Sequence, residues 1–278
     1  MALSIHTNYS ALVTNTALNK SNNALATNQQ RLGTGLRINS AADDAAGLQI
    51  ATRLNAQSRG MGVAMRNTSD AVSMLQTAEG AFSETTDILQ RMKDLSTQAA
   101  NDTNTADDRT SLQAEFDALG EELTNIFNNT KYAGENLFTT KLAAAVNFQI
   151  GASAAETMEF DVSTDMGTLE TTLTTTVQAL TLDSAANAGL AITGLETALN
   201  EVGSMRAQFG ATINRLNHTS NNLANMKDNT EMAKGRIMDA DFAMESANMS
   251  KNSMLMQSGI SMLKQAGQMP GMVMGLLG

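Results

Sequence analysis

Cysteine and tryptophan do not occur in this sequence, proline occurs once, at Pro270, and aromatic residues make up only 4% of the 278. Without thiols there is no disulfide framework, no thiolate metal site and no cysteine nucleophile. The scarcity of aromatic rings removes much of what compact enzyme cores are built from, while Met rises to 19, so long helices suit this composition better than a globular core. Basic residues are too few for a general nucleic-acid surface, the net charge being -10. No segment reaches the roughly 18 consecutive apolar residues of a membrane helix, so no membrane partner is expected. Met1–Ser10 has neither a basic run nor an apolar stretch behind it, unlike a secretory signal, so a route out of the cell calls for a specialised exporter.

Acidic residues are missing from two places. Residues 1–42 contain none, with Lys20, Arg31 and Arg37 as their basic residues, and residues 246–278 contain none, with only Lys251 and Lys264. All 28 acids therefore fall between Asp43 and Glu245, against 13 basic residues in the same span. The middle reads as solvated and both ends as surface that becomes buried.

What is present is a repeat of seven. Ala11, Leu18, Leu25 and Leu32 form a thin coiled-coil stripe with polar Thr14, Ser21 and Asn28 between them. Gly33 and Gly35 are read as an interruption or hinge, and Asp43 and Asp44 as caps of the next helix. That helix, to about Ala100, repeats Leu75, Phe82 and Leu89 with Ala71, Ala78, Thr85, Met92 and Ala99. A third carries Leu112, Phe116, Leu119, Leu123 and Ile126, after a polar turn over Asn101–Asp108. A long helix returns near Ala191 with Leu195, Val202, Phe209, Leu216 and Leu223, and the last segment repeats Phe242, Met249, Met256 and Leu263. The matched stripes predict a chain that runs out, turns and returns antiparallel beside itself.

Between Tyr132 and Val162 the period changes to two: Val146, Phe148, Ile150, then Met158, Phe160, Val162. This predicts a β-hairpin. Thr-rich residues 163–184 are weakly patterned and read as a loop. The fold class is thus mainly α, long coiled-coil helices from both termini paired antiparallel, with a small β-hairpin region in the middle. Burying a large apolar residue returns about 2 kcal/mol, whereas ordering each residue costs roughly 1–2 kcal/mol. With large residues only every seventh position, the ends are expected to order when neighbours cover them.

Two segments carry a resemblance. Leu32-Gly-Thr-Gly-Leu-Arg-Ile-Asn-Ser-Ala-Ala-Asp-Asp-Ala-Ala-Gly47 and Arg236-Ile-Met-Asp-Ala-Asp-Phe-Ala-Met-Glu-Ser-Ala-Asn-Met-Ser250 are similar to the N- and C-terminal signatures of bacterial flagellins. The likeness covers residues 1–138 and 190–278, and Asn147–Val162 looks like the family's hairpin. It implies residues 1–46 and 236–278 as the terminal-helix (D0) domain and 47–235 as the rod-like (D1) domain, with a β region over 132–165 and no large outer variable domain. It further implies a self-polymerising subunit of the extracellular flagellar filament, secreted unfolded by the flagellar type III export apparatus with a chaperone. Assembly would occur beneath the filament cap and above the hook-junction proteins. Filament-core packing is assigned on this basis to Leu18, Leu25, Leu32, Phe242, Met249, Met256 and Leu263.

The stretch Gln90–Thr97 also resembles the helix by which many flagellins are recognised by Toll-like receptor 5, with Gln90, Arg91, Leu95 and Glu115 at matching places. It departs at Leu119, where recognised members usually carry arginine, and at Leu276-Leu277-Gly278, where many flagellins end in a basic residue. No catalytic site, metal or cofactor is implied. His6 and His218 have no metal-spaced partners, and Asp43-Asp44 and Asp107-Asp108 suit helix caps better than acid–base pairs. The alternatives are a hook–filament junction protein and a non-enzymatic coiled-coil scaffold.

Overall fold

The computed structural model describes residues 7–277, with side chains as far as Gln268. His6, Gly278 and the side chains of Met269, Met272, Met274, Leu276 and Leu277 lie outside the described residues. In chain order the elements are α1 (Tyr9–Thr34), α2 (Ala45–Ala99), α3 (Ala106–Asn129), β1 (Lys131–Tyr132), β2 (Glu135–Asn136), β3 (Val146–Gln149), β4 (Thr157–Phe160), α4 (Ser163–Thr171), α5 (Ala185–Met238) and α6 (Phe242–Leu277). Wide π turns occupy Leu137–Lys141 and Thr172–Thr176. The architecture is mainly α with two small antiparallel sheets, as the sequence predicts. The chain divides into two compact units, residues 1–56 with 229–278, and residues 57–228.

The unit 57–228 is organised by alternating steps of three and four. From α2 these bury Met61, Ala64, Thr68, Ala71, Leu75, Ala78, Phe82, Thr85, Leu89, Met92, Ser96 and Ala99; from α5 they bury Ala188, Ala191, Leu195, Ala198, Val202, Met205, Phe209, Thr212 and Leu216. Such steps keep one face of a helix against its partner over many turns. From α3, Phe116, Leu123 and Phe127 join this core. Phe82 sits at its centre, with ring centroids 4.8 Å from Phe138 and 5.5 Å from Phe209, and Phe160 lies 5.7 Å from Phe209. The first two pairs are stacked and the third is tilted, and such ring contacts add to the burial of the rings.

The predicted hairpin is present as β3–β4, and a shorter pairing, β1–β2, precedes it. Tyr132 faces Glu135 across a tight turn in which Ala133 and Gly134 both have positive φ, the backbone that a two-residue hairpin turn requires. β3 and β4 then pair Val146 with Phe160 and Phe148 with Met158, so the alternating apolar residues share the face that meets the core.

Residues 163–184 are not a loop. Met166, Leu169, Leu173, Val177 and Leu182 are buried there, on α4, the second π turn and the segment after it. Threonine has a low helix propensity and masks a helical spacing of apolar residues, which tertiary burial then enforces. Leu173→Ala is expected to cost about 2–3 kcal/mol in thermal or urea unfolding. A loop leucine would cost close to nothing.

α3 begins with a capping box. Asp108 N–H donates to the Thr105 hydroxyl at 3.3 Å, and the Asp108 carboxylate accepts from Thr105 N–H at 2.9 Å and from its hydroxyl at 2.7 Å. The Thr105 hydroxyl, then its N–H, hold the Asp108 carboxyl below the ordinary carboxylate range. A carboxyl depressed on folding stabilises the fold above its unfolded pKa and loses that contribution as pH falls through its folded value. Fraying of α3, followed by amide exchange at Asp108–Ser111, is therefore expected to grow below the usual aspartate range. Asp108→Asn should show no such pH dependence.

In the other unit, α1 and α6 lie antiparallel. Asn8 caps α1 by accepting from Ala11 N–H at 3.0 Å, and its amide donates to the Ala266 carbonyl at 2.7 Å. Farther along, Leu18 packs on Gly259, Arg31 meets Glu245 and Gly35 faces the Phe242 ring, so contacts ascend on one helix while they descend on the other. The expected interruption at Gly33 is absent, because α1 continues to Thr34 and Gly35, at φ +73, closes it while donating to the Arg31 carbonyl. Of the two aspartates expected to cap α2, Asp44 does so through Gly47 N–H at 2.8 Å. Asp43 instead accepts from Ser40 N–H, Asn39 N–H and the Ser40 hydroxyl, which hold its carboxyl below the usual range. The backbone makes a close approach at Gly47, where a Cβ would stand 2.5 Å from Asp44 Oδ2 and 2.8 Å from Ile38 Cδ1.

Candidate assembly interface

The inner seam of the α1–α6 pair is built from the sequence stripes. Ala11, Leu18, Leu25 and Leu32 are half-buried on α1, and Met249, Met256 and Leu263 are half-buried on α6. Leu18 Cδ1 lies 3.2 Å from where a Cβ would stand at Gly259, so the small residue lets the helices approach. Phe242 differs from the other stripe residues in being exposed, with its ring edge turned to Gly35.

Close to the Gly35–Phe242 end of the seam lies a polar cluster that the stripes do not reveal. Arg31 Nη1 donates to Glu245 Oε1 at 3.0 Å. In the amide orientation that satisfies both of its ends, Asn28 donates to Glu245 Oε2 at 3.2 Å and to the Ala24 carbonyl at 3.1 Å, and accepts from Asn252 Nδ2 at 3.1 Å. Asn28 and Glu245 are both buried, and Arg31 Nε is buried without an acceptor. A signal was present in the sequence: Glu245 is the last acid of the chain, and Arg31 is one of three basic residues among the first 42. A polar group inside an apolar seam costs stability but fixes register.

Outside the seam the pair still exposes large apolar side chains. Tyr9, Leu12 and Val13 on α1 and Met244, Met254, Leu255, Ile260 and Met262 on α6 are exposed. Met244, Leu255 and Met262 fall on one side of α6, because steps of eleven and seven return a helix to the same face. No acid lies on α1, and none follows Glu245 on α6, to hydrate these faces. An apolar surface of this kind marks a place where another molecule binds.

The second group of predicted residues lies in the unit 57–228. Arg91 and Glu115 form an exposed ion pair between α2 and α3, with Nη2 at 2.6 Å and Nε at 3.0 Å from Glu115 Oε1. Gln90 is exposed beside them. Leu95 is 1% exposed and belongs to the core, so it positions α2 and offers no surface to a partner. Leu119 is half-buried against that core.

Among the described residues no three His, Asp or Glu side chains come together as a metal site, and no helix is long and apolar enough to cross a membrane. The long antiparallel terminal pair with signature sequences at both ends has a counterpart in known proteins. The family described as the bacterial flagellin N-terminal helical region matches residues 5–143, and that described as the bacterial flagellin C-terminal helical region matches residues 192–277. The chain belongs to the bacterial flagellin family. Flagellin A of Vibrio anguillarum is 35% identical to it over 379 aligned positions, covering 100% of each chain. Polar flagellin C of Vibrio parahaemolyticus is 33% identical over 384 positions, again covering 100% of each. Both alignments are longer than this flagellin's 278 residues, so the relatives carry inserted sequence. A solved structure from Vibrio parahaemolyticus, classed by inference as a flagellar hook-associated protein, matches at a TM-score of 0.57 and 15% identity over 71% of this chain and 100% of that one. That likeness concerns the fold alone. Membership makes this flagellin a structural protein rather than an enzyme.

Proposed function

We infer that this flagellin polymerises into the bacterial flagellar filament, with the α1–α6 pair forming the filament core. The observation that carries this reading is the apolar surface left on α1 and α6 in stretches without acid. Copies of the same pair are its natural cover, since each presents the same small and apolar side chains. Residues 1–46 and 236–278 then act as the core (D0) domain and 47–235 as the surrounding (D1) layer, with the β region over 132–165 and no large outer domain. Leu18, Leu25, Leu32, Met249, Met256 and Leu263 hold the pair together so that Leu12, Val13, Leu255 and Met262 meet neighbouring copies, and Phe242 closes the end beside Gly35. Export unfolded through the flagellar type III apparatus with a chaperone, followed by assembly between the cap and the hook-junction proteins, fits a chain without thiols to misoxidise. Addition of sonicated filament seeds to purified protein is expected to give long uniform tubes by electron microscopy. A protein that never elongates seeds is a junction protein or a scaffold instead.

A second partner is proposed on the exposed Gln90–Arg91–Glu115 surface, where Toll-like receptor 5 would dock. The ion pair presents a guanidinium and a carboxylate already oriented on two helices, which lowers the ordering cost of recognition. Binding of the monomer to the receptor ectodomain is expected to weaken at least about tenfold in Arg91→Ala, a loss of at least about 1.4 kcal/mol. Absence of binding by the parent protein ends this reading without touching polymerisation.

A further inference from the structure

The described methionines differ widely in exposure. Met61, Met74, Met92, Met158, Met166 and Met205 are buried in the unit 57–228, whereas Met244, Met254 and Met262 on α6 are 64%, 65% and 60% exposed, ahead of Met232 and Met226 on α5 at 54% and 40%. The chain has no cysteine and no tryptophan, so no thiol competes for a two-electron oxidant. The most exposed of the described thioethers, those of α6, are therefore where such an oxidant reacts first. They lie on the apolar surface that the assembly reading requires to be buried.

We propose that Met244, Met254 and Met262 form an oxidation site through which peroxide blocks the addition of subunits. The inference rests on the filament-core reading of α6. A lone pair of the thioether sulfur attacks one peroxide oxygen, an S–O bond forms as the O–O bond breaks, and the other oxygen leaves as water after proton transfer. Sulfur is oxidised by two electrons and hydrogen peroxide is reduced by two. The product places a strongly polar S=O group, which water solvates well, on a face that must be desolvated. Half-buried Met249 and Met256, which face α1, react later, and the buried methionines of the unit 57–228 later still. In the finished filament the same three residues are covered, so the monomer is the vulnerable form. Methionine sulfoxide reductases reverse the block because the chemistry stops at the sulfoxide.

The test is a peroxide titration of purified full-length protein, with peptide mass spectrometry and seeded elongation read in parallel. Sulfoxide is expected first at Met244, Met254 and Met262, with the critical concentration raised at least about tenfold. Treatment with reductases should restore growth. The variant Met244→Leu, Met254→Leu, Met262→Leu preserves apolar volume and is expected to elongate seeds before and after the same peroxide dose. Untreated parent protein that fails to elongate seeds overturns the filament reading itself. Parent protein that elongates normally with these three residues oxidised overturns the oxidation site alone, as does a triple variant that peroxide still inactivates.

Discussion

Lysine at both Leu255 and Met262 is expected to stop filament growth while leaving residues 57–228 folded. Both side chains are on the exposed face of α6, so neither substitution removes a contact from the seam with α1. In the filament reading each ammonium would be buried among apolar side chains with no acid on α1 or beyond Glu245 on α6 to pair with. Burying an unpaired ion costs several kcal/mol, and every 1.4 kcal/mol is about tenfold in affinity, so the critical concentration should rise at least about a thousandfold. Leu190 is more exposed than Leu255 but lies outside both terminal segments, and Leu190→Lys should cost far less. Critical concentrations from sedimentation of seeded reactions, with near-ultraviolet or amide-exchange spectra of the unit 57–228 as the control, decide the matter.

Charge reversal at Arg31 has the next largest effect. Arg31→Glu sets a carboxylate against Glu245, itself buried and hydrogen-bonded to Asn28. Breaking a buried pair by removing one partner costs about 3–5 kcal/mol, and the partial exposure of Arg31 places the loss toward the lower figure. The double reversal Arg31→Glu with Glu245→Arg should recover most of it. Replacement of both by Met is expected to keep the helices paired but loosen their register, because apolar groups attract without choosing a partner. Since the chain has no cysteine of its own, Leu18→Cys with Gly259→Cys reports register directly. Cross-linking should be rapid with the native pair and with the double reversal, and slow and mixed with other adducts in the Met–Met variant. Equal cross-linking in all four backgrounds removes the register role.

The long helices were legible in the sequence because a strict heptad repeat admits one geometry, and Leu75, Phe82, Leu195, Val202 and Phe209 all lie in the core that the repeat predicts. The repeat identifies a seam but not what covers the helix's other sides. Leu12 and Leu255 thus escaped notice, although the structure leaves them exposed while the stripe residues beside them pack on one another. Leu95 shows the opposite case: it lies beside exposed Gln90 and Arg91 in sequence, yet helical rotation carries it into the core. Segment 163–184 was illegible for a different reason, since its threonines disfavour helix locally and only contact with the core supplies the missing stability. The Asn28–Arg31–Glu245 cluster needed the fold to be assembled, because Glu245 is more than 200 residues from the other two in the chain.

The account turns on whether copies of this chain cover the outer face of α6. A lone cysteine at Met262, in a chain that has none, allows thiol alkylation rates to be compared between monomer and filament. Alkylation in the monomer should proceed at the rate of an exposed thiol and slow at least about a hundredfold in the filament, the protection expected of a desolvated contact. Equal rates in the two states would mean that filaments form without using this face.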